Sequence, residues 1–318
     1  MLNEKIYEEI NGQKHYLNIK AADVKNPIIL SLHGGPANPD APFIYEFANK
    51  IAENFIFVEW DQRGSGRTYY KNKDRKNKTV SFEQALKDVD SLTDYLLKRF
   101  NKDKLIILGH SYGTILGTRY VSLHPEKVSV YIGMGQYIAM KETEQANYEY
   151  VYEKLEALGQ PLEQLNKAYE ALAYDFSLLN LRSFQKQTVP CFKEEKKRKN
   201  GNKKSSGGLA TILKSPDLSL IDLMWLLKAL NLRSHYKLNK ELYDFMLNFN
   251  MYYFPIEFKV PMYYISGEMD RKCSPKLLKE YFYKITAPKK DIFILDSCGH
   301  SPQIEFPQRT AEIINSLI

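Results

Sequence analysis

Gly109-His110-Ser111-Tyr112-Gly113 follows an apolar run, Lys104 to Leu108, that reads as a strand, and it opens a run that reads as a helix. A serine with glycine two residues before and two after, at a strand-to-helix turn, has the form of a nucleophile elbow. Such a turn strains the backbone of the central residue and leaves no room for side chains at the flanking positions. Ser111 is therefore expected to project its hydroxyl above the edge of a sheet. A hydroxyl is a weak nucleophile at neutral pH, so it requires a histidine to take its proton and an acid to hold that histidine in the right tautomer.

In chains built around such an elbow the acid follows the serine, after a late strand, and the histidine follows the last strand. Val260 to Gly267 reads as a strand and leads into Glu268-Met269-Asp270. Asp270 is the expected acid, with Glu268 and Asp296 close enough in sequence to take the same part. Asp291 to Asp296 reads as the last strand, and Ser297-Cys298-Gly299-His300 forms its loop before a final amphipathic helix. Of the six histidines, His300 alone has this order and context, and it is the expected base. Attack on a carbonyl also needs donors for the developing oxyanion, usually backbone amides fixed in advance. The Tyr112 N–H is one. The second is expected from His33-Gly34-Gly35-Pro36, where Gly35 is the best donor, because Pro36 has no N–H and paired glycines allow close backbone approach.

His33-Gly34-Gly35-Pro36, Asp61-Gln62-Arg63-Gly64-Ser65-Gly66-Arg67, the elbow, Gly267-Glu268-Met269-Asp270 and Gly299-His300 together resemble the proline iminopeptidase family of α/β-hydrolases, in family order from about residue 28 to residue 307. The resemblance implies a serine aminopeptidase that removes an N-terminal residue, often proline, with no metal or other cofactor. Position by position it implies Ser111 as nucleophile, Asp270 and His300 as its partners, and Gly35 and Tyr112 as the oxyanion hole. An esterase, lactonase or other amidase with the same three residues is the alternative reading, and a non-catalytic ligand-binding protein a further one. The chain departs from the family at Ala37-Asn38-Pro39-Asp40, where more glycines are usual, at Tyr112, where tryptophan is usual, and in having no Trp-x-x-Trp-Glu segment.

The elements that must position these residues can be read from periodicity. Asn11-Gly12 between two alternating runs signals a hairpin. Strands near 26–32, 55–60, 104–109, 127–133, 260–266 and 291–296 then alternate with helical stretches. The expected fold is α/β, a mostly parallel sheet with an inserted helical cap. Residues 1–134 and 251–318 are assigned to the core and 135–250 to the cap. Glu142, near the start of the cap, is the candidate carboxylate for a substrate ammonium, and Trp225 is a candidate pocket residue alongside Tyr148, Tyr152, Tyr174, Tyr252 and Tyr253. In the Asp61–Arg67 segment, Asp61 and Arg63 are expected to tie a loop beside the site.

Composition limits the partners. The net charge of +7 is local: seven Lys or Arg and two acids between Lys193 and Lys204 leave a surplus of five there and about +2 elsewhere. That stretch has no aromatics to stack on bases, so a mobile basic loop at 193–208 is expected and nucleic acid is not. No signal-like opening and no run of ~18 apolar residues is present, which points to a cytoplasmic protein without a membrane span. Three cysteines, Cys191, Cys273 and Cys298, lack metal-ligand spacing. The expected partner is a small peptide or other small acyl substrate.

Overall fold

The first two strands, β1 (Leu2–Ile10) and β2 (Gln13–Ala21), pair antiparallel around the Asn11-Gly12 turn, with Ile10 opposite Gln13. β1 alternates half-buried and exposed residues, as an edge strand with one wet face should. β3 (Ile28–Leu32), β4 (Ile56–Asp61), β5 (Leu105–His110), β6 (Val128–Met134), β7 (Met262–Gly267) and β8 (Lys290–Leu295) complete a sheet of order β1-β2-β4-β3-β5-β6-β7-β8. All pairs from β4 onward across the sheet are parallel. These observations come from a computed structural model that describes residues 1–200 and 209–318.

The central strands are apolar on both faces because helices cover both. α1 (Tyr45–Ile51), α2 (Gly66–Lys71), α3 (Phe82–Phe100) and α4 (Tyr112–Leu123) precede β6. On β5, Leu105 and Ile107 face the layer that contains α3 and α4, while Ile106 and Leu108 face the opposite layer with α1. This is the two-residue alternation of a strand buried on both sides. α3 shows why such helices dock. Phe82, Ala85, Val89, Leu92 and Leu96 recur every three or four residues and are buried, and Ser81 caps the helix by accepting from the Gln84 N–H. Each large apolar side chain so buried contributes roughly 1.5–3 kcal/mol relative to exposure.

Between β6 and β7 lies a helical insertion. It comprises α5 (Met140–Ala157), α6 (Glu163–Tyr174), α7 (Leu178–Asn200), α8 (Leu209–Lys214), α9 (Leu220–Leu230), α10 (Leu232–Leu238) and α11 (Lys240–Asn248). Its two ends meet: Ala139 bridges Asn250, and the Met251 N–H donates to the Ile138 carbonyl at 2.8 Å. It carries an apolar cluster of its own around Val151, Leu165, Leu172 and Phe184. α12 (Pro275–Lys284), α13 (Pro302–Glu305) and α14 (Pro307–Leu317) close the chain, and α14 covers the α1 side of the sheet. The basic stretch departs from expectation in part. Residues 193–200 belong to α7, because the run Lys193-Glu194-Glu195-Lys196-Lys197 is rich in good helix formers. Residues 201–208 lie outside the described residues. Among the described residues no helix is long and apolar enough to cross a membrane.

Candidate active site

Three parallel strands bring the chemistry to one edge. Ser111 lies in the turn between β5 and α4, and the loops after β7 and β8 carry Asp270 and His300. Ser111 sits at φ 53° and ψ −121°, a left-handed conformation costly for a non-glycine residue. The turn is held by the Ser111 N–H to the Met134 carbonyl at 3.0 Å and by the Thr114 hydroxyl to the Ser111 carbonyl at 2.6 Å. The flanking glycines answer to crowding. A Cβ on Gly113 would stand 2.0 Å from the Leu32 carbonyl oxygen, and one on Gly109 would stand 2.8 Å from the Gly113 oxygen.

The Ser111 Oγ and His300 Nε2 are 2.9 Å apart, and His300 Nδ1 and Asp270 Oδ2 are also 2.9 Å apart. Asp270 is 1 % exposed, and its Oδ1 accepts the amides of Lys272 at 2.8 Å and Cys273 at 2.9 Å. Burial alone would raise this carboxyl. The His300 imidazole and these donors outweigh it, and the group lies below its ordinary value. An ionised Asp270 accepts the Nδ1–H, which leaves Nε2 as the acceptor facing the Ser111 hydroxyl. Glu268 and Asp296 are exposed, and neither carboxylate bonds the His300 ring. The reading of Asp270 over its two sequence neighbours thus has a geometric basis.

Tyr112 is the first residue of α4, so its N–H has no partner within the helix and lies at the helix's positive end. The His33–Pro36 loop comes close to the serine: a Cβ on Gly34 would lie 3.1 Å from the Ser111 Cβ. His33 anchors this loop. It is 2 % exposed, and burial pushes its imidazolium down to about 4, so the ring is neutral near pH 7. Nδ1–H donates to the Gly34 carbonyl at 2.8 Å, and Nε2 accepts the Gln62 N–H at 3.2 Å. The Gln62 side chain in turn donates to the His33 carbonyl at 3.1 Å. The Asp61–Arg67 segment thereby reaches the site through Gln62. Asp61 accepts the Arg67 N–H at 2.7 Å within the segment, as a loop tie should. Arg63 instead turns away to pair with Asp88 on α3 and with the carbonyl of Asn11. Arg67 spans to the insertion, donating to Asp222 at 2.5 Å and to the Asp217 carbonyl at 2.6 Å.

Two further groups shape the site without a sequence signal of their own. Gly135 follows β6 at φ +53°, and a Cβ there would stand 3.0 Å from the His300 carbonyl and 3.3 Å from Asp270 Oδ2. His110 donates from Nε2 to the His300 carbonyl, 3.1 Å away, and its ring lies 5.0 Å from the His300 ring. Burial, reinforced by His300, pushes the His110 imidazolium down to about 3.

A cavity of about 380 Å³ opens at His300, with Glu144, Gln185, Phe192, Met269 and Arg271 in its wall. The sequence placed its carboxylate at Glu142, but Glu142 accepts from Asn250 and lines a different depression with Tyr169 and Tyr174. Three acids stand in the wall of the cavity at His300: Glu195 pairs with Arg271, Glu305 accepts the Gly299 N–H at 3.0 Å, and Glu144 is the one that is fully buried. It is 2 % exposed and accepts from Asn147 and Gln185, each at 2.9 Å. Among the described residues no cation pairs with it, and burial raises its carboxyl against the opposing effect of those two amides. Glu144, Asn147 and Val151 share the buried face of α5, and a step of two residues from Glu144 reaches the other face. The signal that could have found Glu144 is thus an acid in phase with an apolar stripe.

Trp225 is likewise placed elsewhere. It is 3 % exposed, packs on Tyr69 and Tyr70, and donates from Nε1 to the Ala37 carbonyl at 3.0 Å. It braces the chain just after Pro36 and does not line the cavity at His300. Of the tyrosines, Tyr148 stacks on Tyr169, Tyr252 packs on Tyr281, and Tyr174 and Tyr253 are exposed.

A sequence model described as the alpha/beta hydrolase fold matches residues 27–307. The chain is 28 % identical over 309 residues to a Bacillus subtilis (strain 168) protein named probable aminopeptidase YbaC, covering 96 % of this chain and 93 % of that one. Among solved structures it superposes on a proline iminopeptidase-related protein of Thermus thermophilus with a TM-score of 0.64 and 18 % identity, covering 99 % of this chain and 97 % of the other. Against a proline iminopeptidase of Mycobacterium smegmatis the TM-score is 0.67 at 12 % identity, with coverage of 99 % and 97 %. The eight-stranded sheet, the strained serine after β5 and a family match across most of the chain agree, and the chain belongs to the α/β-hydrolase fold family.

Proposed function

We propose that this chain is a serine hydrolase that acts through an acyl-enzyme on Ser111 and prefers substrates whose N-terminal residue carries a free amine, as an aminopeptidase does. The observation that carries the first part is the bonded chain Ser111–His300–Asp270 at 2.9 Å per step, with Asp270 held as an anion. Ser111 Oγ attacks the substrate carbonyl while His300 Nε2 takes the hydroxyl proton. Asp270 Oδ2 holds the Nδ1–H and stabilises the imidazolium that forms. The Tyr112 and Gly35 amides receive the oxyanion. His300 then gives its proton to the leaving amine, and in the second half-reaction activates water against the acyl-enzyme.

The preference for a free amine rests on Glu144. A buried carboxylate with no cation paired to it among the described residues, in the wall of the cavity that holds His300, is matched by a substrate ammonium. The insertion acts in this reading as a cap at 135–250 that brings Glu144 over the core. The names of the similar aminopeptidases support the same class. The test is hydrolysis of prolyl anilide, N-blocked prolyl anilide and a short-chain nitrophenyl ester by the wild type, Ser111→Ala and Glu144→Gln. Ser111→Ala is expected to lose all turnover. Glu144→Gln is expected to raise KM for the free-amine substrate at least about tenfold and to leave the ester unchanged. Equal loss on both substrates would remove Glu144 from amine recognition, and activity in Ser111→Ala would overturn the mechanism.

A further inference from the structure

Cys273 stands three residues after Asp270 and is 3 % exposed, with its thiol against the Ser111 hydroxyl. One ligand atom from each of Asp270, Cys273 and His300 lies within 4.8 Å of the others. The serine chemistry above uses Asp270 and His300 and has no need of a thiol. Thiolate sulfur, imidazole nitrogen and carboxylate oxygen together form the mixed donor set suited to a borderline-soft divalent cation. Tetrahedral ligation at ~2.0–2.3 Å puts ligand atoms about 3.3–3.8 Å apart, so the sulfur would close on the other two by about 1.5 Å at most, while Asp270 Oδ2 and His300 Nδ1, now 2.9 Å apart, would open slightly. Asp270 is fixed by two backbone amides, whereas His300 is partly exposed to the cavity and can turn. Three protein ligands would leave a fourth position beside Ser111.

We propose that Asp270, Cys273 and His300 form a binding site for a divalent cation of the zinc or cadmium class, and that occupation of it reversibly silences the serine. The exchange balances without redox chemistry. The Cys273 thiol releases its proton as its sulfur binds the metal, and the Asp270 oxygen gives up the Nδ1–H and becomes a ligand. Nδ1 offers its lone pair to the cation, so the single imidazole proton resides on Nε2. Nε2 then donates towards Ser111 Oγ and can no longer accept its proton. The metal thus acts through the histidine tautomer on which the hydrolytic reading depends.

The experiment separates the two ideas by reading the metal without turnover. In Ser111→Ala protein, one equivalent of cadmium is expected to produce a thiolate-to-metal absorption band and to raise the Tm. Both effects should disappear in Ser111→Ala/Cys273→Ala and persist in Ser111→Ala/Cys191→Ser. In protein with Ser111 intact, zinc is expected to inhibit ester hydrolysis, with recovery on adding a chelator. The zinc concentration for half inhibition should rise at least about tenfold in Cys273→Ala, each protein being compared with its own metal-free rate. Cys273→Ser keeps the volume and replaces Cys273→Ala if the latter does not fold. Absence of the thiolate band in Ser111→Ala, or equal inhibition with and without the thiol, would overturn the proposal.

Discussion

Asp270, not one of its neighbours, faces His300 because its other oxygen is committed to the chain that follows. Oδ1 accepts from the amides of Lys272 and Cys273 while Oδ2 points to His300 Nδ1, so the loop and the carboxylate orient each other. Glu268, one side-chain carbon longer and two residues earlier, is exposed. Asp270→Asn would retain much of the shape but present an amide to Nδ1 and favour the wrong tautomer. We expect kcat to fall by about 10⁴-fold with modest change in KM, and Glu268→Gln to stay within a few-fold of the wild type. Steady-state kinetics on one ester decide this, and the reverse pattern would transfer the acid's role to Glu268. Glu144 and Glu142 make the same point about phase: two residues on a helix separate a buried acid beside the base from one that serves a different depression.

At the scale of elements, the site is made by loops that hold one another. The His33–Pro36 loop is bonded to Gln62 by two hydrogen bonds and tied internally by a third, from His33 Nδ1 to the Gly34 carbonyl, and Trp225 of α9 holds the Ala37 carbonyl just beyond it. The loops after β3 and β4 are therefore tied together, with a brace from the insertion. His33→Ala would leave the Gly34 carbonyl and the Gln62 N–H without this partner, at a cost of about 1–3 kcal/mol. We expect a lower Tm together with a loss of kcat of at least about tenfold on an ester, since the amide expected at Gly35 would no longer be fixed in advance. A lower Tm with unchanged kcat would show that the loop keeps its geometry without His33.

For the whole molecule, the reaction groups stand on the sheet and the proposed amine anchor stands on the insertion. The two bodies are joined by Arg67 to Asp222, by Lys20 to Asp217 at 2.5 Å, and by Asn147, which donates to the Arg271 carbonyl at 2.9 Å beside the acid loop. With Glu144 as the proposed amine anchor, recognition is expected to depend on pH. The Glu144 carboxyl lies above its ordinary value because it is buried, and only its ionised form attracts an ammonium. KM for a free-amine substrate should therefore fall as pH rises through the Glu144 titration, while the substrate amine remains protonated. An ester without an amine should show no such fall in KM, nor should Glu144→Gln with either substrate. A KM profile common to both substrates would place the titrating group on the catalytic residues instead.

The local grammar of this protein is written in short stretches of its chain: the strand-turn-helix around Ser111, the Asn11-Gly12 hairpin and the later strands. Each of these is encoded within a few residues, by alternation, by glycines where a Cβ would collide, and by the Asn11-Gly12 turn between paired strands. What depends on distant segments meeting emerged only with the folded chain. Packing turned Arg63 away to Asp88 and Arg67 to Asp222, set Trp225 behind the His33–Pro36 loop, and put Glu144, not Glu142, in the wall of the cavity at His300. It also brought Cys273 to Ser111, 162 positions apart in the numbering. No local pattern carries such information, because the phase of a helix against its neighbours and the direction of a long side chain are set by contacts across the fold.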